Sequence, residues 1–193
     1  MEKWNSIDII SSSKKQNLNK KIFNFYTLKN GSKISCHARP KEIDIKRLKE
    51  EYKVNYILTI QHKSENPEII KKYTEEIKGI TWDNLPLNGA NIGVFMNKKV
   101  RKMIIEHIIK IINLMKEKKL VLFMHCAAGI QRTGTILYTI LRLCNESKES
   151  VMEIIKFIRI EIYEKCGDDR INYAEEFLVK PLFMILNHNN NEE

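Results

Sequence analysis

No apolar run in this chain approaches the length needed to cross a bilayer. The strongest candidate, Ile104–Met115, is broken by His107, Lys110 and Asn113. Met1-Glu2-Lys3-Trp4 opens no signal-peptide hydrophobic region, Glu2 excludes the myristoylation pattern, and Asn191-Glu192-Glu193 holds no prenylation cysteine. A chain without a membrane anchor, in the cytoplasm or nucleus, is the expectation. Cysteine is scarce: Cys36, Cys126, Cys144 and Cys166 fit neither a disulfide framework nor a zinc spacing, so no metal and no cofactor is expected. Acidic residues are outnumbered, 24 against 33 Lys and Arg, for a net charge of +9. The lysines are scattered among Glu and Asn, however, and no basic stripe interleaved with aromatics appears. The surplus reads as solvated helix faces rather than a dedicated nucleic-acid surface. No internal repeat is present.

What is present is 193 residues, 43% hydrophobic and 30% charged, enough for one globular domain with a sizeable core. Strands are expected at Ile22–Leu28, Lys33–Cys36, Val54–Ile60, Ile80–Leu87 and Leu120–Met124. Helical spacing appears after Pro40 (Ile43, Ile45, Leu48) and after Asn66-Pro67. It returns from Val94 to Lys116, then in Thr133–Leu143, Glu149–Tyr163 and Asn172–Leu186. Strands alternating with helices imply an α/β fold: a three-layer sandwich with a mostly parallel central sheet flanked by helices. Ligands of such sheets bind beyond the C-terminal strand ends.

One stretch sits at such an end. His125-Cys126-Ala127-Ala128-Gly129-Ile130-Gln131-Arg132-Thr133-Gly134 follows the apolar run Leu120–Met124 and leads into a helix. Strand, tight small-residue loop and helix N-terminus in that order make an anion site, because loop amides point inward and the helix dipole adds positive potential. A thiol at its rim feels the same field, which favours the thiolate. Arg132 supplies a planar fork able to hold two phosphate oxygens, which lysine could not copy. The phosphate-binding set is therefore Ala127, Ala128, Gly129, Ile130, Gln131 and Arg132, with Cys126 as nucleophile. A nucleophilic Cys126 must stay reduced, which argues for a reducing compartment.

This stretch resembles the His-Cys-x5-Arg-Ser/Thr signature of the cysteine-dependent protein tyrosine phosphatase superfamily, and the chain layout is similar to its compact dual-specificity members. The resemblance implies a catalytic domain over residues 21–187, after a polar leader at 1–20 and before a polar tail at 188–193. It implies that Thr133 bonds the cysteine sulfur and improves it as a leaving group, and that His125 braces the loop as structural support. Cys144 reads as a core residue. Cys36 and Cys166 have no assigned role beyond a possible resolving thiol after oxidation of Cys126.

The resemblance also implies an aspartate general acid after the preceding strand. There Leu85-Pro86-Leu87 is followed by Asn88-Gly89, and Asp83 is the only carboxylate nearby. Asp83 is therefore the expected acid, with Asp168 or Asp169 and no acid at all as the alternatives. Asn172 is expected either to position water or to cap a helix. The expected activity is hydrolysis of phosphotyrosine monoesters, with phosphoserine and phosphothreonine as further candidates, through a cysteinyl-phosphate. The expected partner is a phosphoprotein substrate, met by a monomer. An RNA 5′-triphosphatase of the same Cys-x5-Arg class and a phosphate-binding pseudophosphatase are the rival readings.

Overall fold

The structure is a computed structural model that describes residues 21–189. The leader expected at residues 1–20, and residues 190–193 of the expected tail, lie outside the described residues. Five strands form one sheet: β1 (Tyr26–Thr27), β2 (Lys33–Ala38), β3 (Tyr56–Thr59), β4 (Thr81–Asn84) and β5 (Val121–Cys126). Their order is β1-β2-β5-β3-β4, and every pairing except β1 with β2 is parallel. Parallel strands need helical crossovers, so both faces are covered and the central strands are mostly buried and apolar. All four residues of β3 are buried, as are Leu122–Cys126 of β5.

The two-residue period of β5 divides the core. Phe123 faces a smaller cluster with Phe23, Ile45, Leu48, Ile57 and Ile70, under α1 (Glu42–Glu50) and α2 (Glu68–Glu75). Leu122 and Met124 face the larger cluster on the other side. That side is covered by α3 (Ile92–Met96), α4 (Lys98–Glu117), α5 (Gln131–Leu143), α6 (Lys148–Ile158), α7 (Ile160–Lys165), α8 (Asp168–Ala174) and α9 (Lys180–Asn189). The result is the expected three-layer α/β sandwich. Its central helix, α5, is buried from Arg132 through Leu141. Thr135 and Thr139 survive there because each hydroxyl donates to the carbonyl four residues back, at 3.0 and 2.8 Å.

Several boundaries differ from the sequence reading. The strand expected over Ile22–Leu28 pairs only at Tyr26–Thr27, and Phe23 instead plugs the smaller cluster edge-on to Phe123. The helix expected from Val94 to Lys116 is two helices. Asn97 leaves helical geometry, and its side chain accepts the amides of Lys99 and Val100, capping α4. The helix expected over Glu149–Tyr163 breaks at Arg159, whose backbone is extended between α6 and α7. The last helix starts earlier, at Asp168, is interrupted by a π-helical turn at Glu175–Val179, and continues to Asn189. Asn172 therefore lies exposed inside α8 and caps nothing.

Among the described residues, no helix is long and apolar enough to cross a membrane.

Candidate active site

β5 ends on Cys126 and α5 begins at Gln131, so four residues make the whole connection. Three of its four carbonyls are taken by the framework. Ala127 O accepts the Arg39 amide at 3.1 Å, Gly129 O accepts the Arg159 guanidinium at 3.0 Å, and Ile130 O accepts the Gly134 amide at 2.7 Å. In a planar peptide the N–H points opposite the carbonyl, so the amides of Ala128, Ile130 and Gln131 face the loop interior. The Gly129 amide donates to the Cys126 sulfur at 3.1 Å. Gly129 is required in this turn, since its φ is +66° and an added Cβ would sit 2.1 Å from His37 O and 2.2 Å from Arg159 Nη1.

Arg132, 5% exposed, lies in the first turn of α5. Its fork is gripped by Glu65, with Nη1 on Oε2 at 2.6 Å and Nη2 on Oε1 at 2.9 Å. Nη1 also donates to Leu87 O at 3.1 Å. Burial disfavours the guanidinium charge, but Glu65 and the nearby Cys126 sulfur outweigh it, and the pKa of Arg132 is raised. The Glu65 carboxyl is correspondingly lowered, chiefly by its bonds from Arg132. Glu65 itself ends a single 3-10 turn, Lys63–Glu65, and its carboxylate accepts the His62 amide at 3.2 Å. Arg39 closes the ring by donating to Glu65 O and Asn66 O at 2.7 and 2.6 Å.

His125 is fully buried behind the thiol. Its Nδ1 lies 3.3 Å from Cys126 O and its Nε2 lies 2.9 Å from Thr59 Oγ1, which accepts the Trp82 indole N–H at 2.9 Å. A carbonyl only accepts, so Nδ1 carries the proton and Nε2 takes the threonine hydroxyl. Burial drives the His125 pKa down to about 3, which keeps the ring neutral. Thr133 differs from expectation: its hydroxyl is buried without a hydrogen-bond partner and makes no bond to the Cys126 sulfur.

Asp83 also lies elsewhere than expected. It pairs with Leu58 on β3, which pairs with Met124 on β5. Strands lie about 4.8 Å apart, so Asp83 is two strands across from Cys126 and two residues short of it. Its carboxylate accepts the Tyr56 hydroxyl at 2.7 Å and the Lys110 ammonium at 2.9 Å. Desolvation raises its pKa, but those two donors prevail and hold it below the ordinary value. A general acid must keep its proton near neutral pH, so both place and titration oppose that role. The segment that does reach Arg132 is Leu85-Pro86-Leu87, through Leu87 O, and the next residue is Asn88, which is exposed. Arg170 donates to Ala90 O and pins the far end of the same loop. Asp169 pairs with Arg170 at 3.1 Å and is half-exposed, while Asp168 is exposed.

Glu65 and Arg159 were not singled out by sequence reasoning. A buried guanidinium demands a carboxylate, but nothing local marks Glu65, 67 residues away, as the one. Arg159 was hidden in an apolar helical period. Of the other thiols, burial pushes Cys36 up to about 12 and Cys144 and Cys166 to about 11.

A family model described as the tyrosine phosphatase family matches residues 36–153, from β2 to within α6, and so includes the loop. The chain belongs to that family. A search of curated sequences gave no match. Among solved structures, the core catalytic domain of the PP-IP phosphatase Siw14 from S. cerevisiae is 19% identical, covers 86% of this chain and 93% of that one, and has a TM-score of 0.61. The kinase associated phosphatase KAP is 15% identical, covers 84% and 97%, and has a TM-score of 0.62. TpbA of P. aeruginosa, solved with pTyr, is 13% identical, covers 86% and 93%, and has a TM-score of 0.56. At these identities the likeness is one of fold. The phosphatase thus shares its α/β architecture with cysteine-dependent enzymes, and its substrate is a separate matter.

Proposed function

We propose that this phosphatase hydrolyses phosphotyrosine monoesters through a cysteinyl-phosphate on Cys126. The observation that carries the reading is the pairing of an amide-bonded Cys126 sulfur with an Arg132 fork fixed by Glu65. The Cys126 thiolate attacks phosphorus in line, the phosphorus–oxygen bond to the tyrosine breaks, and the departing oxygen takes a proton from solvent. Water then cleaves the sulfur–phosphorus bond and releases inorganic phosphate. Inward amides and Arg132 hold the equatorial oxygens throughout, where charge develops.

The loop beside Arg132 supports phosphotyrosine over phosphoserine and phosphothreonine. It carries Asn88, whose carboxamide is too weak an acid to protonate a leaving oxygen, and Asp83 is engaged by Tyr56 and Lys110. A phenolate, of pKa about 10, leaves with less help than an alkoxide. The same observation favours a second reading, hydrolysis of a phosphoanhydride such as an RNA 5′-triphosphate, whose leaving group needs no acid. Siw14, one of the structural neighbours, is itself named a PP-IP phosphatase.

The test is acid-quench trapping with a phosphotyrosine peptide, followed by mass analysis. Phosphate is expected on Cys126, and Cys126→Ser is expected to bind the peptide without turnover. A Cys126→Ser protein that hydrolyses it near the wild-type rate would overturn the mechanism. Faster turnover of triphosphorylated RNA than of any phosphotyrosine peptide would select the second reading.

A further inference from the structure

Beside the catalytic loop lies an open groove of about 630 Å³ between the β2–α1 turn and the outer faces of α1 and α2. It starts at Arg39, whose amide is bonded to Ala127 of the loop. Arg39, Lys41 and Lys46 border it, and Ile43, Ile69 and Tyr73 form its floor. Ile43 is 61% exposed and Ile69 43% exposed, although both belong to helices whose other faces are buried in the core. Lys46 is neutralised by Glu42, which also lines the groove, at 2.6 Å. Arg39 spends its donors on two backbone carbonyls, which leave its charge uncompensated. Among the described residues, neither Arg39 nor Lys41 forms an ion pair with a carboxylate.

Resting on the phosphotyrosine reading, we propose that this groove is a specificity subsite for the substrate chain: it takes acidic and aliphatic residues flanking the phosphotyrosine. Charge complementarity selects the acidic character, and the exposed isoleucines select the aliphatic one. A compact polyanion such as an inositol polyphosphate calls for converging cations. Here one of the three cations, Lys46, is already paired with Glu42 and the rest of the lining includes Ile43, Ile69 and Tyr73, which suits a mixed acidic and aliphatic peptide. Phosphate bound at Cys126 fixes the register, since the groove begins one hydrogen bond from the loop.

The experiment compares two phosphotyrosine peptides, one with Glu and Leu around the tyrosine and one with the Glu residues replaced by Gln. Each kcat/KM is divided by that for p-nitrophenyl phosphate. The wild type should favour the acidic peptide by about tenfold, and Lys41→Glu should bring the two within about twofold, because an exposed charge contributes modestly and reversal turns attraction into repulsion. Lys102→Glu, the same charge change at a side chain 80% exposed on α4, should keep the preference and so separate a local subsite from overall charge.

Equal rates for both peptides in the wild type, or equal loss in Lys41→Glu and Lys102→Glu, would overturn the subsite while leaving the catalytic reading intact. Failure to turn over even p-nitrophenyl phosphate would instead overturn the catalytic reading. In that case anisotropy of labelled peptides on the intact protein decides the groove: tighter binding of the acidic peptide, lost in Lys41→Glu, supports it, and equal affinity refutes it. An inositol hexakisphosphate that binds the wild type but not Lys41→Glu, with no peptide preference, would show that the groove takes a compact polyanion.

Discussion

The two walls of the catalytic mouth are built to different standards. On one side the phosphate loop is held at every turn: three of its carbonyls are taken by Arg39, Arg159 and the Gly134 amide, and its arginine is clasped by Glu65. On the other, Leu85-Pro86-Leu87 reaches Arg132 through one backbone carbonyl, and the residue that follows, exposed Asn88, is a carboxamide rather than a carboxylic acid. On the proposed mechanism, anion binding and charge stabilisation would be preorganised while proton delivery would not. The contrast teaches that the two halves of such a site are separable, and that the first can be complete without the second.

The strongest way to break that contrast is to damage the better wall. Arg132→Lys keeps the charge and loses the fork, so kcat should fall about a hundredfold, on the order of 3 kcal/mol, as read by steady-state kinetics on p-nitrophenyl phosphate. A rise in KM with kcat untouched would mean Arg132 merely docks the substrate. Glu65→Gln acts one step back: the fork stays but loses its anchor. A loss of about tenfold in kcat, with roughly 2 kcal/mol of stability by denaturant titration, is expected, because a buried guanidinium is left without its counter-charge. The weaker wall is sharpened by Asn88→Asp, which should raise kcat for phenyl phosphate several-fold, below the full range of about 10²–10⁴ for a positioned acid. Asp83→Asn should change kcat less than about twofold and cost about 1–2 kcal/mol of stability by weakening the bonds from Tyr56 and Lys110.

A separate effect is one of pH. His125 titrates at about 3 in the fold against an ordinary 6.5, so between those values the unfolded chain binds the extra proton. Its contribution to stability is present above about 6.5 and is lost as pH falls toward 3. Melting temperature should decline over that window, and His125→Gln should flatten the decline.

The loop was legible because everything that makes it is contiguous: strand, thiol, small residues, arginine and helix lie within one stretch. The sheet followed from apolar runs separated by helical periods. What escaped was set by contacts distant in sequence. Glu65 is one carboxylate among 24, and only folding brings it to Arg132. Arg159 sits among Ile154, Ile155, Ile158 and Ile162, which keep helical spacing across a break at which its guanidinium donates to the loop carbonyl. Asp83 was chosen by nearness along the chain, but strand register sends it to Lys110 on α4 instead.

The central claim, a complete phosphate wall facing one without an acid, is tested most directly by rate against leaving-group basicity. The measurement is kcat/KM for a series of aryl phosphates spanning several units of phenol pKa, in the wild type, Asn88→Asp and Asp83→Asn. A steep fall with rising pKa is expected in the wild type and in Asp83→Asn alike, and a shallower one in Asn88→Asp. A flat wild-type dependence that becomes steep in Asp83→Asn would contradict the claim and restore Asp83 as the acid.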